Sequence, residues 1–317
     1  MARGASAVAF AYHNVGVRCL SALLAHGVDV RLVVTHDDDP RENVWFGSVE
    51  QLARSHDLPT AKPRDPNEPQ FVQQIAALRP DFLFSFYYRL MLSPALLSLP
   101  QHGALNMHGS LLPRYRGRAP VNWAVIRGER ETGATLHYMV EKPDAGDIVA
   151  QQAVPILPDD TAFDVFAKVT FAAELTLDRM LPALLAGNAP RVPQDLARGS
   201  YFGGRRPEDG RIDWRSSAAD IHNLVRGVAP PYPGAFCVVA GKQVRVLRSL
   251  LANETPPRVG YPALFCHAGR CYAECGDGRC LRILSLEVDG TMLDERSFQR
   301  AGTTAPVSLP TSQPAQR

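Results

Sequence analysis

Three polar residues in one part of the sequence could together carry out acyl transfer. Residues 104–108 read ALNMH, an apolar run that carries Asn106 and His108 two positions apart. Because side chains alternate along a strand, this spacing puts the amide and the imidazole on one face of a predicted strand. The amide could donate to an oxyanion, and the imidazole could transfer protons. Asp144, in the downstream segment KPDAGD, could hold the imidazole in its charged form.

Each of these residues has a simpler explanation when it is taken alone. A single His at the end of a strand more often makes a structural hydrogen bond than catalyses a reaction, and an Asn there often caps a turn. The three arginines that follow, Arg114, Arg116 and Arg118, could form a solvated edge or bind anionic groups. Among them, Arg118 is the first choice for a ligand contact. The prediction of a catalytic site therefore depends on the joint occurrence of these residues, in order.

The elements that would hold these residues alternate between strands and helices. Predicted strands cover 7–11, 30–35, 82–86, 104–107 and 135–140, and predicted helices cover 15–26, 48–55, 69–78, 120–127 and 162–185. The strands are continuous apolar runs, which indicates an α/β fold with a parallel sheet covered on both faces. Since ligands bind at the carboxyl ends of strands in such sheets, we expect the three site residues to meet there.

The remainder of the chain has a different character. After about residue 190, glycines and prolines become frequent and the predicted strands become short: 235–239, 243–247, 263–265 and 281–286, with one helix at 218–225. This pattern is typical of a small antiparallel β barrel or sandwich. Residues 301–317 contain three prolines and many small polar residues. We expect this last segment to be a disordered tail, because it has little to pack.

Composition and charge exclude several classes of protein. The 34 Lys and Arg residues nearly balance the 32 Asp and Glu residues, which leaves a net charge of +2. That surplus is too small for a polybasic nucleic-acid coat, although it leaves room for a local basic patch. No apolar run approaches the roughly 20 residues needed to span a bilayer, and the first residues read as a strand rather than a signal peptide. We therefore expect a cytoplasmic protein without membrane insertion.

The cysteines favour free thiols over a metal site. Four of the six lie close together, namely Cys266, Cys271, Cys275 and Cys280. Their spacing differs from the paired C-x2-C of structural zinc sites, which leaves zinc as the minor alternative. They lie in or beside predicted strands, where Cys commonly serves as a small core residue. We predict no metal and a reducing compartment.

The motifs also resemble those of a known family. The run NMHGSLLPRYRG resembles the signature of formyltransferases that use 10-formyltetrahydrofolate, with Asn-x-His, then Ser-Leu-Leu-Pro, then a Gly. The segment DAGD at 144–147 is similar to that family's Asp-x-Gly-Asp motif. The resemblance implies that Asn106 stabilises the oxyanion, that His108 is the general acid and base, and that Asp144 keeps the imidazole charged.

The same resemblance implies a domain plan and a cofactor. The segment FGGRRPEDGRIDW at 202–214 resembles the family's entry into its second domain. We therefore expect a Rossmann-like catalytic domain at 1–200, an OB-like β domain at 201–300 and the tail at 301–317. The implied co-substrate is 10-formyltetrahydrofolate, without a metal. Its pocket would be formed by Leu90, Met91, Leu92, Arg118, Val140, Glu141, Lys142, Pro143 and Asp144.

The acceptor of the formyl group is the finer question. The segments 10–13, 84–89 and 116–123 closely resemble formyltransferases that modify UDP-4-amino-4-deoxy-L-arabinose in lipid A modification and polymyxin resistance. Methionyl-tRNA formyltransferase shares the two-domain plan and is the main alternative, but residues 36–43 (HDDDPREN) hold four acids and one Arg, which would repel phosphate. We predict small-molecule partners and no nucleic acid. Another nucleotide-linked 4-amino sugar and the oligomeric state stay open.

Overall fold

The structure is a computed structural model that describes residues 4–40, 42–254, 256–297 and 305–311. The chain forms two compact units. The first comprises residues 1–120, 131–155 and 166–203. The second comprises residues 121–130, 156–165 and 204–317, so two short segments from the first half of the chain group with the later residues.

Strands and helices alternate through most of residues 6–202. The elements up to β9 are β1 Ser6–Ala11, α1 His13–Ala25, β2 Asp29–Val34, α2 Val49–Ser55, β3 Thr60–Ala61, α3 Pro69–Leu78, β4 Phe82–Phe86, α4 Pro94–Leu97, β5 Ala104–His108, β6 Arg116–Gly117, α5 Pro120–Ile126, β7 Glu131–Tyr138, β8 Ile148–Pro155, α6 Ala162–Leu185 and β9 Tyr201–Phe202. Local sequence explains several boundaries. The Ser48 hydroxyl accepts from the Gln51 N–H and so caps α2. Helix α3 begins at Pro69, where a missing N–H costs nothing, and ends before Pro80.

The main sheet has the strand order β3-β2-β1-β4-β5-β7-β8. The first five strands pair in parallel, as predicted. The last two do not, because β7 runs antiparallel to β5 and β8 runs antiparallel to β7. The short connection between β7 and β8 suits a hairpin, whereas a parallel pair would need a crossover of a dozen or more residues. Strand β8 was absent from the sequence prediction, because its exposed and buried residues alternate and the run is rich in Gln and Ala.

The core of the first unit sits against the central strands. Strands β1 and β4 are buried along their whole length, which explains why they read as continuous apolar runs. Helix α6 spans the predicted range, with Pro182 inside it. None of the helices in the described part of the chain is long and apolar enough to cross a membrane.

The second unit is an antiparallel, near-barrel sheet with one helix. Its elements are α7 Ala218–Gly227, β10 Ala235–Val239, β11 Lys242–Leu251, β12 Ala263–His267, β13 Arg270–Glu274, β14 Cys280–Val288, β15 Thr291–Asp294 and β16 Val307–Ser308. The strand order is β10-β11-β14-β13-β12-β16, with β15 paired to β14. Trp214, Ile221 and Val225 lie in its core. The predicted small antiparallel β domain is therefore confirmed.

The disordered tail at 301–317 stays a prediction; of these residues the structure describes 305–311, and the others lie outside the described ranges. Val307 and Ser308 form β16, which pairs antiparallel with β12. The Leu309 side chain is 4% exposed and belongs to the core of the second unit.

Candidate active site

Two neighbouring strands bring the polar residues of the site together. Asn106 and His108 lie on β5 with one residue between them, so their side chains share a face of the sheet, as predicted. On the adjacent strand β7, His137 lies directly opposite Asn106, and Thr135 lies directly opposite His108. Residues directly opposite on an antiparallel pair also share a face. The site therefore contains two residues, Thr135 and His137, that sequence reasoning missed.

The imidazole of His108 is held in one orientation. The side chain is buried, and its Nε2 lies 2.8 Å from the carbonyl oxygen of Tyr115. Because a carbonyl can only accept, this contact assigns a hydrogen to Nε2. The other ring nitrogen, Nδ1, lies 3.5 Å from Oδ1 of Asp144. His108 therefore faces an acceptor on each side, and the edge that carries Nδ1 is turned toward the other site residues.

A hydrogen-bond network fixes the loop that carries the Tyr115 carbonyl. The Thr135 hydroxyl donates to the Ser110 carbonyl over 2.6 Å and accepts from the Leu112 N–H over 3.1 Å. The Gln151 amide donates to the Leu112 carbonyl over 2.8 Å and to the Thr135 hydroxyl over 2.9 Å. Thr135 thus serves as a positioning residue, since it joins β7 to the loop that orients His108.

Asp144 is a half-buried carboxylate that stays ionised. Its Oδ2 accepts from the backbone N–H of Gly117 over 2.8 Å. Burial of the carboxyl would raise its pKa, but the neighbouring imidazole of His108 and the Gly117 N–H outweigh burial. The pKa of Asp144 therefore lies well below its ordinary value of 3.8. At neutral pH, Asp144 supplies a fixed negative charge next to His108.

The route by which Asp144 reaches the site differs from the prediction. We expected three strand ends to meet at the carboxyl edge of a parallel sheet, but β7 is antiparallel to β5, so its carboxyl end lies beside the start of β5. The segment between β7 and β8 folds back, and the Tyr138 N–H donates to the Asp147 carbonyl. The Gln194 amide then holds the segment by donating to the carbonyls of Asp144 and Gly146. Asp144 itself has a positive φ of 52°.

His137 orients the amide of Asn106. Its Nδ1 lies 2.8 Å from the Tyr138 carbonyl, which assigns a hydrogen to Nδ1 and leaves Nε2 as an acceptor. The Asn106 Nδ2 then donates to His137 Nε2 over 3.1 Å and lies 3.5 Å from Asp144 Oδ1. The second hydrogen of this amide donates to Asp144 Oδ1, and this longer contact is the one that a reacting oxygen could replace. Thr135 and His137, two polar residues two positions apart in β7, were the signal in the sequence that could have pointed to His137.

The residues predicted to bind folate form two strand-end segments with exposed apolar side chains. Leu90, Met91 and Val140 are exposed, whereas Leu92 is buried. Glu141 and Lys142 are exposed, and Pro143 is half-buried beside Asp144. Exposed apolar side chains of this size suit contact with a flat aromatic ligand. Their role stays a prediction.

The three loop arginines differ in exposure. Arg114 and Arg118 are exposed, and Arg116 is buried. The Arg114 guanidinium lies over the ring of Tyr115, which agrees with a mainly solvent-facing role. The contact of Arg118 with a ligand stays a prediction.

Aromatic side chains crowd the ends of β1 and β4, next to β5. The His13 ring stacks on Phe46 at 3.9 Å and meets Trp45 and Phe166 edge-on at 4.6 Å. Tyr87 meets Phe166 edge-on at 5.5 Å. A Cβ on Gly109, the residue after His108, would lie only 2.1 Å from the Tyr87 hydroxyl. The Tyr87 hydroxyl therefore packs directly against the end of β5. Burial, with a smaller contribution from Arg89, lowers the pKa of His13 to about 3, so its imidazole is neutral.

The acidic segment after β2 is tied to the predicted folate segment. Glu42 makes a two-pronged ion pair with Arg89, at 2.8 and 2.7 Å. The Arg89 N–H donates to His36 Nε2 over 3.1 Å. Asp38 accepts from the Tyr12 hydroxyl over 2.6 Å. These contacts hold the acidic segment against residues that adjoin Leu90, instead of leaving it as a loose loop.

Family models match both units of the chain. The model described as "Formyl transferase" matches residues 14–181, and the model described as "Formyl transferase, C-terminal domain" matches residues 205–300. The first match alone covers more than half of the chain and includes Asn106, His108 and Asp144. The chain belongs to the formyl transferase family.

Solved structures of similar fold include sugar-modifying members of this family. An N-formyltransferase from Helicobacter canadensis, in complex with folinic acid and dTDP-3-aminofucose, has a TM-score of 0.68 and 20% identity over 89% of this chain and 99% of that one. The sugar 3N-formyl transferase WlaRD, with dTDP and 5-N-formyl-THF, has the same TM-score and 20% identity over 88% of this chain and 97% of that one. HypX from Aquifex aeolicus, in complex with tetrahydrofolic acid, has a TM-score of 0.61 and 18% identity over 94% of this chain and 47% of that one.

Gly117 is a structural requirement of this formyltransferase site. Its φ is +97°, and an added Cβ would lie 2.1 Å from the backbone oxygen of Phe202. Replacing Gly117 with Ala is therefore expected to destabilise the fold by about 1–3 kcal/mol. The change should also lower kcat, because the Gly117 N–H that holds Asp144 would move. Urea unfolding and initial rates measure the two effects.

The matched control is Gly203→Ala, since a Cβ at Gly203 meets no atom within 4 Å. We expect that variant to keep both its stability and its turnover. Equal stability and equal kcat in Gly117→Ala and Gly203→Ala would show that the loop tolerates a side chain and that the Gly117 contact to Asp144 is dispensable.

Proposed function

We propose that this chain transfers a formyl group from 10-formyltetrahydrofolate to the amine of a nucleotide-linked amino sugar, with UDP-4-amino-4-deoxy-L-arabinose as the acceptor. The observation that carries this proposal is the arrangement of Asn106, His108 and Asp144, in which an amide and a buried imidazole share a strand face beside an ionised carboxylate. Formyl transferases of similar fold bind reduced folates and dTDP or a dTDP-linked amino sugar, which supports this class of donor and acceptor.

The reaction begins when the neutral amine of the sugar attacks the formyl carbon. A carbon–nitrogen bond forms, and the carbonyl electrons move to the oxygen. The Asn106 Nδ2 hydrogen that donates to Asp144 Oδ1 over 3.5 Å turns to this oxyanion, while the other hydrogen stays bound to His137. When the intermediate collapses, the bond to N10 of the folate breaks and that nitrogen takes up a proton.

His108 supplies the proton that the departing N10 needs. Its Nε2 hydrogen is held by the Tyr115 carbonyl, so the mobile proton is the one on Nδ1. The attacking amine releases one proton as it becomes an amide, and this proton restores the imidazolium, so the protons balance over one turnover. Because the pKa of Asp144 is well below its ordinary value, Asp144 acts as a counter-charge to the imidazolium and not as a proton carrier.

The folate is assigned to the segments at Leu90–Leu92 and Val140–Asp144. Leu90, Met91 and Val140 offer exposed apolar contacts. Asn67 supports the first segment, since its amide donates to the Met91 carbonyl over 3.0 Å and its oxygen accepts from the Ser93 N–H over 2.7 Å. These hydrogen bonds from Asn67 would keep the Leu90–Leu92 segment in a fixed position when folate binds.

We assign the nucleoside part of the acceptor, without its diphosphate, to a cavity of about 190 Å³ after β2, which Tyr12, Asp37 and Asp38 help to line. In the sheet order β2-β1-β4-β5, β2 lies three strands, or about 14 Å, from the catalytic strand. In many nucleotide-binding α/β folds, an acid after the second strand accepts from ribose hydroxyls, which Asp37 or Asp38 could do here. The aromatic cluster around His13 lies between this region and Gly109 and would contact the sugar.

The acidic segment also argues against tRNA as the acceptor. The Asp37 side chain is 81% exposed, and its described ion-pair partner, Lys62, is shared with Glu50. A surface that gathers RNA needs unpaired cations, because phosphate contacts supply most of the affinity. Residues 37–42 therefore favour a small nucleotide over a tRNA acceptor end.

A substrate comparison tests the proposal. The purified full chain is supplied with 10-formyltetrahydrofolate and either UDP-4-amino-4-deoxy-L-arabinose, a dTDP-linked 4-amino sugar or methionyl-tRNA, and formylated product is measured by mass spectrometry. We expect turnover with the UDP-sugar, with a kcat/KM at least about 10 times that for the dTDP-sugar, and none with tRNA.

The Asn106→Ala protein, assayed with each of the three acceptors, serves as the negative control. A preference for the dTDP-sugar would keep the reaction class and overturn the nucleotide assignment. Turnover of methionyl-tRNA alone would overturn the proposal that the acceptor is a sugar.

A further inference from the structure

Cys266 and Cys271 face each other across a tight hairpin in the second unit. They lie on β12 and β13, which pair antiparallel with Cys266 directly opposite Cys271. The two-residue turn between the strands is Ala268–Gly269, and both residues have positive φ, at 47° and 75°. This is the type I′ geometry that closes two-residue hairpins.

The register puts this pair at the position that best accommodates a disulfide. His267 and Arg270 flank the turn and form the hydrogen-bonded pair, so the next pair, Cys266 and Cys271, is of the non-hydrogen-bonded kind. Cα atoms in such pairs are about 4.5 Å apart, which lies within the range found across disulfides. A bond between the sulfurs therefore needs little movement of the backbone.

The two thiols differ in access. Cys271 is 1% exposed and lies in the core of the second unit, whereas Cys266 is half-buried. On the outer side of β12, the described part of β16 pairs only with Ala263 and Leu264, so it leaves the edge at Cys266 uncovered. Burial raises the pKa of Cys271, with a further contribution from Cys266, so Cys271 stays protonated until its partner has reacted.

We propose that Cys266 and Cys271 form a reversible cross-strand disulfide when the protein meets a hydroperoxide. The Cys266 sulfur attacks the peroxide, the O–O bond breaks, and a sulfenic acid and an alcohol or water form. The Cys271 sulfur then attacks the sulfenic sulfur, the S–S bond forms, and the oxygen leaves as water with the Cys271 proton. Overall the two thiols lose two hydrogens and two electrons, and the peroxide takes up both.

The neighbouring cysteines offer no equivalent pair. Cys280 pairs with Glu274, the residue before Cys275, and the Cys275 N–H donates to the Arg279 carbonyl. Because side chains alternate along a strand, Cys275 and Cys280 point to opposite faces of the sheet. They accordingly belong to different clusters of buried residues. Oxidation should therefore select one pair among the six cysteines.

Mass spectrometry of the full chain tests this assignment. The protein is treated with a small excess of hydrogen peroxide, denatured and alkylated, and its peptides are mapped. We expect the mass of the chain to fall by two hydrogen atoms, with one disulfide between Cys266 and Cys271 that dithiothreitol reverses. In Cys271→Ser, the reaction should stop at the sulfenic acid of Cys266, which dimedone traps.

The matched controls separate the pair from general cysteine oxidation. Cys280→Ser should form the disulfide as the wild type does, and Cys266→Ser should keep a reduced Cys271. Any of three outcomes would overturn the assignment. These are six thiols that can all still be alkylated after treatment, a disulfide that includes Cys275 or Cys280, and over-oxidation of Cys266 without a cross-link. The test needs no formyl acceptor, so its outcome is independent of the proposed function.

Discussion

Replacing Asn106 with Ala is expected to lower kcat by about 100- to 1000-fold while the KM for the folate changes little. The amide would donate to the oxyanion, and removing one such donor typically costs this much in rate because the charge exists only in the transition state. His137 holds the amide in place at 3.1 Å, so the donor is oriented before the substrate binds. Steady-state rates with the preferred amino sugar and the folate donor measure the effect.

Two controls keep this result specific. Asn43→Ala removes an exposed amide from the loop after β2 and should leave kcat unchanged. Thermal unfolding should show that Asn106→Ala is folded, since its side chain is only half-buried. Near-native turnover in the folded Asn106→Ala protein would remove Asn106 from the mechanism.

The sequence was sufficient for the residues that form an ordered motif. Asn106 and His108 share a strand face because strand periodicity requires it, and a buried strand of five residues holds them where the prediction put them. The parallel strands were equally readable, because burial on both faces makes them continuous apolar runs. These patterns can be read from the sequence because each involves residues only a few positions apart.

Features that depend on distant pairing were not readable. The antiparallel direction of β7 follows from the short connection to β8, and β8 itself has weak local signals. That reversal changes how Asp144 reaches His108, and it puts His137 opposite Asn106. A single His in a strand gives no indication that it will orient Asn106, because this role depends on the residue that pairs with it on the neighbouring strand.

The contrast between local sequence patterns and contacts between distant residues also holds for the surface charges. The run of acids after β2 is visible in the sequence, but the ion pair between Glu42 and Arg89 joins residues far apart along the chain. Such a two-pronged contact on half-exposed side chains adds little stability by itself, typically about 0–1 kcal/mol. Its effect is geometric, because it fixes the acidic segment beside the segment that begins the predicted folate site.

Replacing Asp144 with Asn is expected to lower kcat by about 100- to 10,000-fold, the range over which a positioned acid or base contributes. The neutral amide keeps the shape of the carboxyl but removes the charge that lies 3.5 Å from His108 Nδ1. Steady-state rates with the folate donor and the preferred amino sugar measure the effect.

The same substitution has a signed effect on stability. Since the pKa of Asp144 in the folded protein lies below its ordinary value of 3.8, the ionised carboxylate stabilises the fold above that pH, and this contribution is lost as pH falls through the lowered pKa. Asp144→Asn should thus be less stable than the wild type at pH 7 and approach it in strong acid. Asp147→Asn, in the same segment, is the matched control and should keep its turnover. Full activity in Asp144→Asn would show that the carboxylate does not act on His108, and the catalytic group would then reduce to Asn106 and the imidazole.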